Sequence, residues 1–200
     1  MFMPVFTCVL ILIAAIAIAG RRNLSRVNKK LSDFQERELA ANAVRRQPLD
    51  DLEYLHIPDA FFGYPSDDAV HDCHEALHIL TGLKDESIVN LTGLTNTDLK
   101  ERYGPANLPD LSRFDQNYTS MVRALQMYAS WLAKEGHDAE AISLLEYSLG
   151  TGCDISASYR LLAELYKRND RSDEISHLKE LASSVNSVMR SSILRSLEES

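Results

Sequence analysis

The pattern with the most chemistry in it is His74-Glu75-Ala76-Leu77-His78, an H-E-x-x-H spacing. On a helix it sets two imidazoles one turn apart, suited to hold zinc, with the intervening glutamate placed as the general base of a metallopeptidase. His71 stands three residues before His74 and extends the stripe. A catalytic zinc needs a third protein ligand. The longer form of the motif is broken, because Thr81 and Lys84 stand where a glycine and a third histidine belong, so Glu86 or Glu101 from a later helix would have to serve. The competing reading is three partly exposed histidines beside an apolar helix face. That reading is the expectation carried forward, with no catalytic residue, no metal and no cofactor; zinc held by His74 and His78 with Glu75 as base is its alternative.

Weaker constellations have simpler readings. Cys73 lies between Val70 and Leu77 and is expected to pack in a core rather than act as a thiol. Asp50-Asp51 and Asp67-Asp68 open segments, where caps and solvated faces use acids. Gly82 and Gly93 stand alone, so no phosphate-binding loop is present, and no elbow motif selects a serine nucleophile. Three cysteines, one of them Cys8 inside an apolar run, imply no disulfide framework.

Two hundred residues, 45% hydrophobic and 25% charged, make one compact body with an appendage. Eight glycines and six prolines are too few for a turn-rich β fold, so the expected class is all-α. The formal charge of −8 is uneven: residues 21–48 hold eight Lys or Arg against three acids, leaving −13 on residues 49–200. So acidic a body is not expected to bind nucleic acid.

The division predicted is an anchor (1–20), a basic helix and linker (21–48), an N-terminal helical module with an irregular connector (49–114), and helical repeats with a capping helix (115–200). Residues 2–19 contain no charge and as a helix reach about 27 Å, close to a bilayer's hydrocarbon thickness. Ala17-Ile18-Ala19 has the form of a signal-peptidase site. The positive cluster Arg21, Arg22, Arg26, Lys29 and Lys30 follows the apolar run instead of preceding it, which favours an uncleaved single-pass anchor with the C-terminal side in the cytoplasm. Beyond it, Leu24, Val27, Leu31 and Phe34 form one apolar stripe, expected to pack within the chain or to pair two copies through residues 23–41.

In the body, Pro65-Ser66 followed by two acids and the face Val70, Cys73, Leu77 and Leu80 predict a helix over Asp67–Thr81. Residues 83–115 read as a connector rich in side-chain-to-backbone bonds. Within it Ile88–Gly93 is a short strand or a helical turn, and Thr97 caps a helix ending at Gly104-Pro105. From Asp115 amphipathic helices follow one another. Setting Val122–Ile155 against Ser156–Met189 at an offset of 34 pairs Leu125 with Tyr159, Tyr128 with Leu162, Ala129 with Ala163 and Leu132 with Tyr166. Gly136 falls at the turn and Ala141 at the helix crossing of the first unit; Asp170 and Ile175 replace them in the second.

This pattern resembles the tetratricopeptide repeat, most closely in the first unit, and the resemblance implies stacked helical hairpins. A last helix containing Val185, Val188, Met189, Ile193, Leu194 and Leu197 would cap them. Through Leu49-Asp50-Asp51-Leu52, Asn90-Leu91-Thr92-Gly93, Thr95-Asn96-Thr97-Asp98-Leu99-Lys100, Asp115-Gln116-Asn117-Tyr118-Thr119 and Asp154-Ile155-Ser156, the chain is also similar to a group of small membrane-anchored, tetratricopeptide-like proteins of Gram-positive anaerobic bacteria. That similarity implies anchor plus repeats and no particular activity.

First helices of such hairpins line a groove, and the groove positions here are Arg123, Gln126, Ser130, Lys134, Arg160, Glu164 and Arg168. A locally basic face on an acidic body fits a carboxylate-bearing protein or peptide. The expectation is therefore a non-enzymatic, membrane-anchored adapter that binds a protein or peptide partner.

Overall fold

The structure, a computed structural model, describes residues 3–198, with side chains from Gly20 onward. The fold is all-α in the main: among the described residues there are eight α-helices, two short 3-10 turns and one small ribbon. The predicted anchor, residues 2–19, falls where side chains lie outside the described residues. Among the described residues no helix is long and apolar enough to cross a membrane. The chain divides into two compact units, residues 1–47 with 95–108 and residues 48–94 with 109–200.

In the first unit, α1 (Met3–Asn42) runs without a break and its C-terminal end packs on α3 (Asn96–Tyr103). Arg37 donates to both Glu101 carboxylate oxygens and to Asp98, while Glu38 accepts from Lys100 at 2.8 Å and from the Thr97 hydroxyl. The cap of α3 is Thr95, two residues before the one expected. Its hydroxyl accepts from the Asp98 amide and Asp98 accepts in return from the Thr95 amide, a reciprocal capping box. Thr97 is thereby released to reach Glu38. Gly104 closes α3 at φ +81°, and a Cβ there would stand 2.6 Å from the Arg45 carbonyl oxygen, so both conformation and space require glycine.

The second unit opens with an extended segment in which β1 (Tyr54–Leu55) pairs antiparallel with β2 (Ile88–Val89), Tyr54 opposite Val89. Strand thus wins over helical turn at Ile88. Helix α2 spans His71–Leu83 and starts four residues later than the acids suggest. The Asp67 carboxylate accepts from the Ala69 amide at 2.8 Å, which spends residues 67–70 on a turn. Helix α4 spans Leu108–Lys134 and begins seven residues earlier than expected, with Pro109 and Asp110 supplying the start. The connector makes the bonds its composition predicts: Asp115 accepts from the Leu91 amide, and Asn117 donates to the Ser87 carbonyl.

Two helical hairpins complete the unit: the end of α4 with α5 (Asp138–Gly150), then α6 (Ser156–Arg168) with α7 (Glu174–Ser184). Their turns share two bonds at the offset of 34, and the second turn then takes two more residues before its helix begins. His137 N–H donates to the Leu132 carbonyl and Arg171 N–H to the Tyr166 carbonyl, each at 2.8 Å, around Gly136 at φ +83° and Asp170 at φ +56°. Aspartate tolerates the left-handed conformation better than most side chains, which explains its stand-in for glycine. Tyr128, Leu125, Ala129 and Leu132 of α4 and Tyr159, Leu162 and Ala163 of α6 are buried together in the main core. Helix α8 (Arg190–Glu198) adds Ile193 and Leu197 to that core, but Val188 and Met189, expected on the same stripe, precede the helix and are exposed.

Candidate functional site

The histidines of α2 point outward. His71, His74, Glu75 and His78 are exposed; His74 and His78 stack with ring centroids 6.4 Å apart, and His71 Nε2 lies 3.2 Å from Glu75. The would-be base is therefore turned to its own helix neighbour. Among the described residues no group of three or more His, Cys, Asp or Glu is arranged to hold a metal ion. Helix α2 buries Cys73, Ala76, Leu80 and Leu83 instead, and burial pushes the Cys73 thiol up, away from nucleophilic thiolate.

The seven groove positions also resolve individually. Arg123 and Lys134 are exposed on α4, the half-buried Gln126 donates to Ser130 at 2.9 Å, and Arg160 lies 3.9 Å from Glu164 one turn along α6. Arg168 is bonded within the chain. Its guanidinium straddles the Asp138 carboxylate at the start of α5 and donates to the Ala133 carbonyl at the end of α4, 3.1 Å away. Asn169 adds a 2.8 Å bond to Asp138. Cation at one helix C-terminus and anion at the next N-terminus suit both helix dipoles, so Arg168 staples the two hairpins. Burial would raise the Asp138 carboxyl, but the bonds from Arg168 and Asn169 outweigh it and hold the group below its usual value.

A concave site does form in this unit, on helices α5, α6 and α7. Leu149, Leu162 and Leu178 are buried core residues and, with half-buried Leu181, line a cavity of about 300 Å³. Polar groups rim it: Glu146 accepts from the Tyr166 hydroxyl at 2.8 Å and from Arg171 at 3.0 Å, Arg171 lies 4.8 Å over the Tyr166 ring, and Glu174 and His177 complete the edge. Burial, and then the Glu146 carboxylate, push the Tyr166 phenol well above its ordinary value, so it stays a neutral donor.

A second cavity of about 170 Å³ shares Leu149, Gly150 and Leu181 with the first, so the two lie side by side. Its far end carries amides and hydroxyls, Asn90, Thr92, Ser184 and Asn186. Gly150 sits in the middle, and a Cβ there would meet nothing within 4 Å. An apolar hole continued by amide groups can seat one hydrophobic side chain and hydrogen-bond the backbone beside it.

None of the seven predicted groove residues lines this cleft. Its leucines read in the sequence only as core, and Glu146, Glu174 and His177 only as surface; the one local signal is Gly150 following Leu149 within α5, a small residue where a larger one would fill space. No protein family, curated protein or solved structure matches the chain.

Proposed function

We propose that the protein is a membrane-anchored helical adapter that acts by binding a protein segment, not by catalysis, and that the segment lies in the α5–α7 cleft. The observation that carries this reading is the cleft itself: a leucine-floored hole large enough for an aromatic or aliphatic side chain, with a hydrogen-bonded polar rim and an amide-bearing extension. Two 34-residue hairpins with matching turns support a tetratricopeptide-like scaffold. The charge-free run 2–19 and the basic cluster after it support a single-pass anchor with the body cytoplasmic. Anchoring would confine the cleft to a thin layer and raise its effective concentration for membrane partners.

The test is peptide selection on the full chain in lipid nanodiscs, followed by variants. Selected peptides should share an apolar anchor residue and lose at least tenfold in affinity to Gly150→Leu, at a cleft-lining position where an added Cβ meets nothing within 4 Å. Arg123→Glu and Arg160→Glu should leave affinity within twofold. The opposite pattern would move binding to the basic face of α4 and α6. Retention of the chain in membranes after carbonate washing checks the anchor.

A further inference from the structure

Every described residue of α1 from Gly20 to Arg37 is exposed. A lone helix of that length is marginal in water unless an apolar face is covered. Such a face exists: Leu24, Val27, Leu31 and Phe34 are 61%, 53%, 54% and 54% exposed, at the 3-4-3 spacing of alternating a and d positions in a heptad. The next residues on the same line, Glu38 and Ala41, are no longer free, since Glu38 is bonded to Lys100 and Thr97 of α3 and Ala41 is buried. Helix α3 has eight residues, about 12 Å, and cannot reach further along α1.

We infer that Leu24, Val27, Leu31 and Phe34 form the seam of a parallel, in-register helix pair between two copies of this chain. The flanking positions fit a second copy. Across a parallel pair Asn23 meets Asn28 and Lys30 meets Gln35, so no like charges oppose each other, while Arg22, Arg26 and Lys29 lie on the outer side. A lipid surface fits less well. Helix α1 is unbroken through this stretch, so a segment continuing a membrane span carries the stripe away from the bilayer, Phe34 by about 20 Å beyond Gly20. Four layers are two heptads, fewer than the three or four that hold a coiled coil in solution. Pairing therefore depends on confinement in a membrane, which also sets the parallel sense; in this it rests on the anchor proposed above.

The experiment uses the full chain with Cys8→Ser in phosphatidylcholine–phosphatidylglycerol vesicles, where Cys73 and Cys153 are buried and do not compete. Single cysteines are introduced as Val27→Cys, Leu31→Cys or, on the outer side, Lys29→Cys, and oxidised with copper phenanthroline. The seam positions should yield at least tenfold more disulfide-linked dimer than Lys29→Cys, and adding Leu31→Asp and Phe34→Asp to Val27→Cys should abolish it. Equal linking at all three positions, or none, would overturn the pairing. Linking between a Leu24→Cys chain and a Phe34→Cys chain would overturn the parallel sense. Carbonate washing separates the two proposals: chains retained without seam linking refute the pair alone, and chains released yet seam-linked refute the anchor and the dependence of pairing on confinement while leaving the helix pair itself.

Discussion

Removing the Arg168 staple tests whether the hairpins are held by it or merely decorated by it. Arg168 makes a two-pronged contact with Asp138 and one bond to the Ala133 carbonyl. The Asp138 side chain is 17% exposed but that of Arg168 is 52%, so solvent screening discounts the pair towards the upper end of exposed salt bridges, about 1 kcal/mol. The carbonyl bond and the α4 dipole add roughly 0.5 kcal/mol. Arg168→Met should thus cost about 1.5 kcal/mol, or about 3–6 °C in Tm for a chain of this size. Urea unfolding followed by Trp131, the single tryptophan and buried in α4, reads the change. A double-mutant cycle with Asp138→Ala should return a coupling of about 1 kcal/mol at pH 7. Because the folded carboxyl is held below its ordinary value of 3.8, the coupling is complete above that pH and fades as pH falls through the lowered folded value. A coupling under about 0.3 kcal/mol at pH 7 would refute the staple and return Arg168 to the basic face.

Other outcomes follow from the same geometry. Gly104→Ala combines left-handed strain with a 2.6 Å backbone contact and should cost about 2–4 kcal/mol, seen as lost hydrogen-exchange protection in α3. Gly136→Ala meets open space and should cost only the strain, about 1–2 kcal/mol, whereas Asp170→Gly should gain up to about 0.5 kcal/mol; urea titration checks both. The Asp98 carboxyl is held down by Thr95 and then Arg37, Glu101 by Arg37, and Glu38 by Lys100 and then Thr97. Their support of the α1–α3 contact is therefore complete above pH 4.5 and begins to fall below it, the Asp98 share last, so exchange protection in α3 measured from pH 7 to pH 3 should start to decline only below about pH 4.5. Elemental analysis at equimolar zinc should find well under one zinc per chain; a full equivalent lost on His74→Ala would restore the metallopeptidase alternative.

The two turns were legible in the sequence because they depend on a local requirement, a left-handed residue at 136 and 170. The cap of α3 and the start of α2 were read two and four residues astray because several neighbouring Thr and Asp side chains could each bond the backbone, and only the packed structure selects among them. The early start of α4 was hidden because Leu108-Pro109-Asp110 reads equally as a loop end and as a helix start. The site was less legible than the fold. A cleft is the space left between side chains of three helices, and no spacing rule distinguishes a leucine that fills a core from one that floors a hole. The Arg168 pairing was not legible for a related reason: its partner lies thirty residues earlier in the chain, beyond any periodicity.

The most direct test of the adapter reading is photo-crosslinking in intact cells with a benzophenone side chain placed at His177, on the cleft rim, and separately at Arg123, on the basic face of α4. Binding in the cleft predicts a discrete membrane-fraction adduct from position 177 that disappears with Gly150→Leu, and none from position 123. An adduct from position 123 alone, indifferent to Gly150→Leu, would contradict it.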